Sequence, residues 1–149
     1  MHWLADWAWG VPLIVLTLIV HSLALFGMRH RMIATLAAYY DDEHFSLPFA
    51  LAMGVVVLFA TVLLAAEAAL WGAVYVAVGT LPDWPRAMLY SLEAMTTFGH
   101  SDVYLTADWQ FLGALEALNG VILIGLTTAF IYSLLRGAEL RRKHSDVTP

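Results

Sequence analysis

Apolar positions in this chain fall into three long blocks separated by short polar stretches. They neither alternate nor recur along one helical stripe. The first block runs from Val11 to Met28, with His21 its only strongly polar residue; the second runs from about Leu47 to Gly79, and the third from about Trp109 to Leu135. A transmembrane helix needs about 17–25 predominantly apolar residues, so the pattern predicts three spanning helices. The second block is the longest. At about 1.5 Å per residue it exceeds a hydrocarbon core of about 30 Å, so it must tilt or project. A fourth apolar segment, Pro85 to Met95, is too short to cross a bilayer. Between it and the third block lies Thr96-Thr97-Phe98-Gly99-His100-Ser101-Asp102-Val103, where polar residues and a glycine stand together between two spans. Such backbone is tolerated at membrane depth only where it lines a polar cavity or is buried in protein.

The stretches between blocks add punctuation. Trp3, Trp7 and Trp9 precede the first block and read as an interfacial belt. Arg29 to Ser46 reads as a loop in which Met32 to Tyr40 forms a short amphipathic helix at the inner surface, followed by Asp41-Asp42-Glu43-His44, which reads as a solvated turn or, with its neighbouring carboxylates and imidazole, as a divalent-ion site. Gly79, Pro82 and Pro85 mark a turn, and Pro85 suits the first turn of the short helix, where a missing N–H costs nothing. Asp108 is placed to cap the third span. Positive residues cluster after the first span (Arg29, Arg31) and after the third (Arg136, Arg141, Arg142, Lys143). The positive-inside rule then puts the first loop and the C-terminus in the cytoplasm, and the N-terminus and the Thr96–Asp102 loop outside. With basic residues after the first block and no cleavage site in view, that block reads as an uncleaved helix.

Composition sharpens this picture. Of 149 residues, 61% are hydrophobic, against about 45–50% in soluble domains, which selects an integral membrane protein. There is no cysteine, so disulfides, thiolate metal sites and thiol nucleophiles are excluded. The net charge of −5 is dispersed, and nothing in it points to nucleic acid. Residues 1–149 read as one membrane domain: an N-terminal helix through residue 28, a pore-like section over 47–135 and a tail over 136–149.

A short helix, a Thr-Thr-x-Gly-x-x-Asp loop and a spanning helix, in that order, resemble the re-entrant pore loop of the potassium-channel superfamily, whose filter reads Thr-Val-Gly-Tyr-Gly-Asp. Ser91-Leu92-Glu93 is similar to the Ser-Val-Glu of the pore helix in small two-helix bacterial channels, and Val103-Tyr104 and Trp109 sit where those channels carry Leu-Tyr and Trp. The similarity covers roughly residues 84–135, with the second span as outer helix and the first span extra to the two-helix plan. It implies an all-α membrane fold with three transmembrane helices and a re-entrant pore helix. It also implies a homotetramer in a bacterial inner membrane, with potassium held by backbone carbonyls of Thr97, Phe98, Gly99 and His100. Residues 96–102 would be the filter, Glu93 would brace Asp102, and Gly120 or Gly125 would be the inner-helix hinge.

The loop also departs from that signature. Phe98, His100 and Ser101 replace Val, Tyr and the second Gly, and Leu89 stands where relatives often place a Trp. A filter backbone needs positive φ at the glycine positions, which Gly99 tolerates and Ser101 adopts at about 1–2 kcal/mol.

Three carboxyls, Glu67, Glu93 and Glu116, fall in apolar surroundings together with Asn119 and His21. They read as protonated groups bonded to backbone or to Asn119, or as a proton-sharing cluster or cation site behind the filter. The expected function is passive potassium transport, with lipid and copies of the same chain as partners and no organic cofactor. The alternatives are a non-selective or non-conducting channel fold that acts by assembly with a partner, and an intramembrane enzyme or metal site using Glu67, Glu116 and His21. The topology is testable directly: with cysteine placed at His2 or Ser145, a membrane-impermeant thiol reagent should label the first from outside and the second only after permeabilisation. Labelling of both from one side would remove the three-span arrangement.

Overall fold

Four helices follow one another in the computed structural model, which describes residues 3–39, 46–99 and 102–147: α1 (Trp3–Tyr39), α2 (Leu47–Ala77), α3 (Trp84–Met95) and α4 (Gln110–Val147). Among the described residues there is no strand. The helices α1, α2 and α4 are each long and apolar enough to cross a membrane, consistent with a multi-pass membrane protein.

Two of these helices outrun their apolar blocks. Residues 29–39 continue α1 instead of forming a loop and a separate surface helix. The basic residues at 29–31 end the apolar block, but they do not break a helix, and Thr35 returns its hydroxyl to the Arg31 carbonyl at 3.0 Å. At 37 residues α1 is about 55 Å long. Likewise α4 continues through the basic tail to Val147, supported by a Lys143–Glu139 pair at 2.6 Å. The acidic run at residues 41–44 lies outside the described residues.

The chain divides into two compact units, residues 1–21 with 63–124, and residues 22–62 with 125–149. In the second, Leu36, Ala37, Val56, Leu134 and Ala138 form a small core, and Ile33 packs against Gly137. The first unit holds the larger core, which includes Trp71, Tyr75, Tyr90, Leu112 and Leu123.

Within the first unit, α3 starts where its sequence dictates. Asp83 is the N-cap, with extended backbone, and its carboxylate accepts the Arg86 N–H at 3.0 Å, while a proline occupies the first turn. The buried residues of α3 are Ala87, Tyr90, Ser91, Glu93, Ala94 and Met95. Small residues on its neighbours let it come close. Gly72 of α2 meets the Ala87 backbone, and Gly113 and Gly120 of α4 meet the Tyr90 ring and the Met95 backbone so closely that a Cβ at either position would overlap them. A hydrogen bond from the Thr106 N–H to the Thr80 hydroxyl, at 3.1 Å, joins the turn before α3 to the segment before α4. The stretch containing α3 therefore leaves and returns at one place.

The C-terminus of α3 ends in a Schellman arrangement. The Phe98 N–H reaches the Glu93 carbonyl at 3.0 Å, and the Thr97 N–H reaches the Ala94 carbonyl at 3.1 Å. This motif places its pivotal residue in left-handed backbone, usually as glycine. Here the pivot is Thr97, at φ 55°, a β-branched residue in a region that costs about 1–2 kcal/mol. Substituting Thr97→Gly should therefore raise the unfolding free energy by up to about 1 kcal/mol, after subtraction of the extra chain entropy of glycine. Thermal melting in detergent reads this. A lower melting temperature would mean that the Thr97 side chain contributes more than its backbone strain costs.

Candidate functional site

The loop after α3 begins with Thr96, whose hydroxyl turns back to the Leu92 carbonyl at 2.6 Å and closes the last helical turn. Thr97 and Gly99 both have positive φ, 55° and 92°, while Phe98 between them does not, so backbone handedness alternates over three consecutive residues. Phe98 is 81% exposed. The remaining filter-like residues His100 and Ser101 lie outside the described residues, and Asp102 is exposed. Glu93 is buried on α3 and Leu89 is half exposed.

Behind α3 the polar residues of the spans are sorted into three separate contacts. Glu116 of α4 accepts the Tyr75 hydroxyl of α2 at 2.5 Å with one oxygen and contacts the Ser91 hydroxyl of α3 with the other. Ser91 also lies 2.6 Å from the Ala68 carbonyl of α2. A serine has a single hydroxyl hydrogen. If Ser91 gives it to Ala68, the short contact with Glu116 is satisfied when the carboxyl carries a proton and donates it to Ser91. One side chain thus ties α4 to both α2 and α3. Tyr75 is further packed edge-on against the Tyr90 ring of α3, with centroids 5.2 Å apart.

The second contact joins α1 to α2: His21 Nδ1 is 3.1 Å from both carboxyl oxygens of Glu67, and both residues are fully buried. The third joins α1 to α4, where the Asn119 amide donates to the Thr17 hydroxyl at 2.9 Å and Thr17 donates to the Leu13 carbonyl at 2.9 Å. Glu67 and Glu116 are therefore partnered separately, and among the described residues no group of three His, Asp or Glu side chains is arranged to hold a metal ion. Of the two candidate hinge glycines, Gly120 is packed against Met95 and Gly125 faces open space, both inside a continuous α4.

Sequence reasoning singled out His21, Glu67, Glu116 and Asn119 but not their partners Thr17, Tyr75 and Ser91, the last of which entered only through its motif. One signal was available. Thr17 and His21 stand one turn apart on α1 and thus on one face, and a polar face in an apolar span calls for polar partners on its neighbours. Compared with protein-family models, curated proteins and solved structures, the chain matches none significantly.

The Glu116 contacts make a graded prediction. Glu116→Ala leaves the Tyr75 and Ser91 hydroxyls buried without this partner and should cost about 2–4 kcal/mol. Glu116→Gln keeps an acceptor for Tyr75 and a donor for Ser91 and should fall within about 1 kcal/mol of the parent. Denaturant unfolding in detergent measures both, and equal losses would remove the protonated-carboxyl description.

Proposed function

We propose that this chain is a subunit of a cation channel of the potassium-channel type, working as a homotetramer in a bacterial inner membrane with the N-terminus outside. The observation that carries the reading is the chain reversal after α3: positive φ at Thr97 and Gly99 flanks Phe98. A run of carbonyls that replaces the hydration shell of an ion needs this alternation, because successive carbonyls point the same way only when backbone handedness switches from residue to residue. In this reading the cargo is potassium, met by the carbonyls of Thr97, Phe98, Gly99 and His100. The short helix α3 acts as the re-entrant pore helix, and Glu93 braces Asp102.

Two further features support it. The Thr80–Thr106 clasp closes the α3 stretch on itself, as a segment that dips into a membrane and returns must be closed. In the single chain, Leu89 is 48%, Phe98 81% and Tyr104 63% exposed, so the side of α3 and its loop turned away from α2 and α4 is apolar and uncovered. In a fourfold ring that side meets neighbouring copies and the axis.

The deciding experiment is potassium flux from purified protein in liposomes, with sodium as comparison. Potassium-selective flux is expected. Absence of flux with an intact tetramer would leave an assembly role for the scaffold. Ser101→Gly is expected to raise the melting temperature of the oligomer, more so in excess potassium, because a filter backbone of the potassium-channel kind would require a left-handed conformation at this position, which costs a non-glycine residue about 1–2 kcal/mol per subunit. Lower stability with no potassium-dependent gain would confine the resemblance to the residues up to Gly99 and end the potassium reading.

A further inference from the structure

Ser91 of α3 stands between acceptors on two different helices. Its hydroxyl oxygen lies 2.6 Å from the Ala68 carbonyl of α2 and in short contact with one carboxyl oxygen of Glu116 of α4. The other carboxyl oxygen accepts the Tyr75 hydroxyl of α2 at 2.5 Å. Ser91, Tyr75 and Glu116 are all buried. These contacts between oxygens need a hydrogen each. The two hydroxyls bring one apiece, so a proton on the carboxyl must supply the last.

The neighbouring elements offer a carboxylate little compensation. α2 contains no lysine or arginine and α4 none before Arg136, while Arg86 of α3 is exposed and lies 3.5 Å from Asp83. The titratable groups that face Glu116 are Tyr75 from α2 and Tyr90 from α3, and a tyrosine hydroxyl ordinarily ionises only near pH ~10. On α1, the stretch packed on α4 at this level runs from Gly10, against Leu112 and Leu115, to Thr17, bonded to Asn119; it carries no titratable residue. The remaining carboxyls of α2 and α3 are Glu67, engaged with His21, and Glu93. A buried anion without a cation is costly, and a proton on Glu116 removes that cost.

Loss of that proton changes the wiring as well as the charge. Tyr75 keeps its bond to Glu116, and the single Ser91 hydrogen must then choose between Ala68 and Glu116. A hydrogen bond to an ionised group is roughly twice as strong as a neutral one, so it goes to the carboxylate. The Ala68 carbonyl retains the N–H that an α-helix provides four residues on, so releasing Ser91 leaves it satisfied. The Ser91 and Ala68 oxygens are then two acceptors facing each other without a hydrogen between them, and they repel. We propose that Glu116 is a proton-operated selector of the helices to which α3 is fastened: α2 and α4 when it carries the proton, α4 alone when it does not. The Thr97 turn follows α3 directly, so the change reaches the loop. No residue of the Thr96–Asp102 loop takes part in the selector, which therefore stands or falls independently of ion conduction.

The test combines two measurements on the full purified chain in detergent, titrated from about pH 5 to about pH 9. Infrared spectroscopy reads the proton through the carbonyl stretch of an un-ionised carboxyl, and subtraction of Glu116→Gln separates Glu116 from the other carboxyls. A Glu116 band is expected at neutral pH and is lost as the pH rises. Pulsed electron resonance reads the fastening. The chain has no cysteine, so nitroxides can be placed by substitution at the exposed positions Leu70 of α2, Leu89 of α3 and Leu118 of α4, with labelled chains diluted in unlabelled ones. The 70–89 distance should lengthen and broaden over the pH range in which the band disappears, while the 89–118 distance stays constant. In Glu116→Gln both distances should be independent of pH. Tyr75→Phe guards against a glutamine variant that fails to fold: it removes a donor that stabilises the carboxylate, so the band should persist to higher pH. A parent without the band, a band that survives the whole titration, or a 70–89 distance that ignores its loss would each overturn the proposal.

Discussion

The position of α3 depends on one cluster of hydroxyl and carboxyl groups. A helix of twelve residues has too little surface to hold its place by apolar packing alone, and in an apolar surrounding its polar atoms need partners within the protein. Glu116 supplies them by meeting Ser91 and Tyr75 at once. Ser91 in turn reaches the Ala68 carbonyl of α2, on which Gly72 also lies against the Ala87 backbone of α3. The height and rotation of α3 follow from these contacts, and with them the point at which Thr97 turns the chain. The loop is thus positioned from behind, by groups that never face it.

Packing elsewhere in the chain is looser in kind. Lipid is as apolar as leucine, so helices in a membrane associate through close packing and polar contacts more than through burial of apolar area. Only 11% of the most apolar window of α2 is buried, and its outward side chains include Leu51, Leu58 and Val62. The specific contacts are few and polar, and each joins a different pair of helices. His21 with Glu67 fixes α1 to α2, and Thr17 with Asn119 fixes α1 to α4. Two such contacts on one face of α1 determine its rotation, which a uniformly apolar surface would leave open.

The three apolar helices and α3 were legible because apolar block length and Pro85 in the first turn are local signals, whereas the Asp83 cap was not singled out. The ends of α1 and α4 were not legible. Arginine and histidine after Met28 end membrane compatibility but not helix propensity, and the two boundaries differ by eleven residues in α1, from Met28 to Tyr39. Gly99 was read as a position of positive φ, which it has. Thr97 was read as a filter position for its carbonyl, and its left-handed backbone was missed because that conformation follows from how α3 terminates, which a threonine does not announce. Partner identities among Glu67, Glu116, His21 and Asn119 depend on helix rotation, and an apolar block with no amphipathic stripe does not encode rotation.

The His21–Glu67 contact also has a consequence for biogenesis. A chain inserted helix by helix delivers α1 to the lipid before α2 exists, so His21 at first has no carboxylate to meet. Its polar ring in hydrocarbon is costly until Glu67 follows, forty-six residues later. The earliest association in such a chain would then be a hairpin of α1 and α2, with α3 and α4 added to a pair already in register. The first helix would thus be the template on which the rest is assembled.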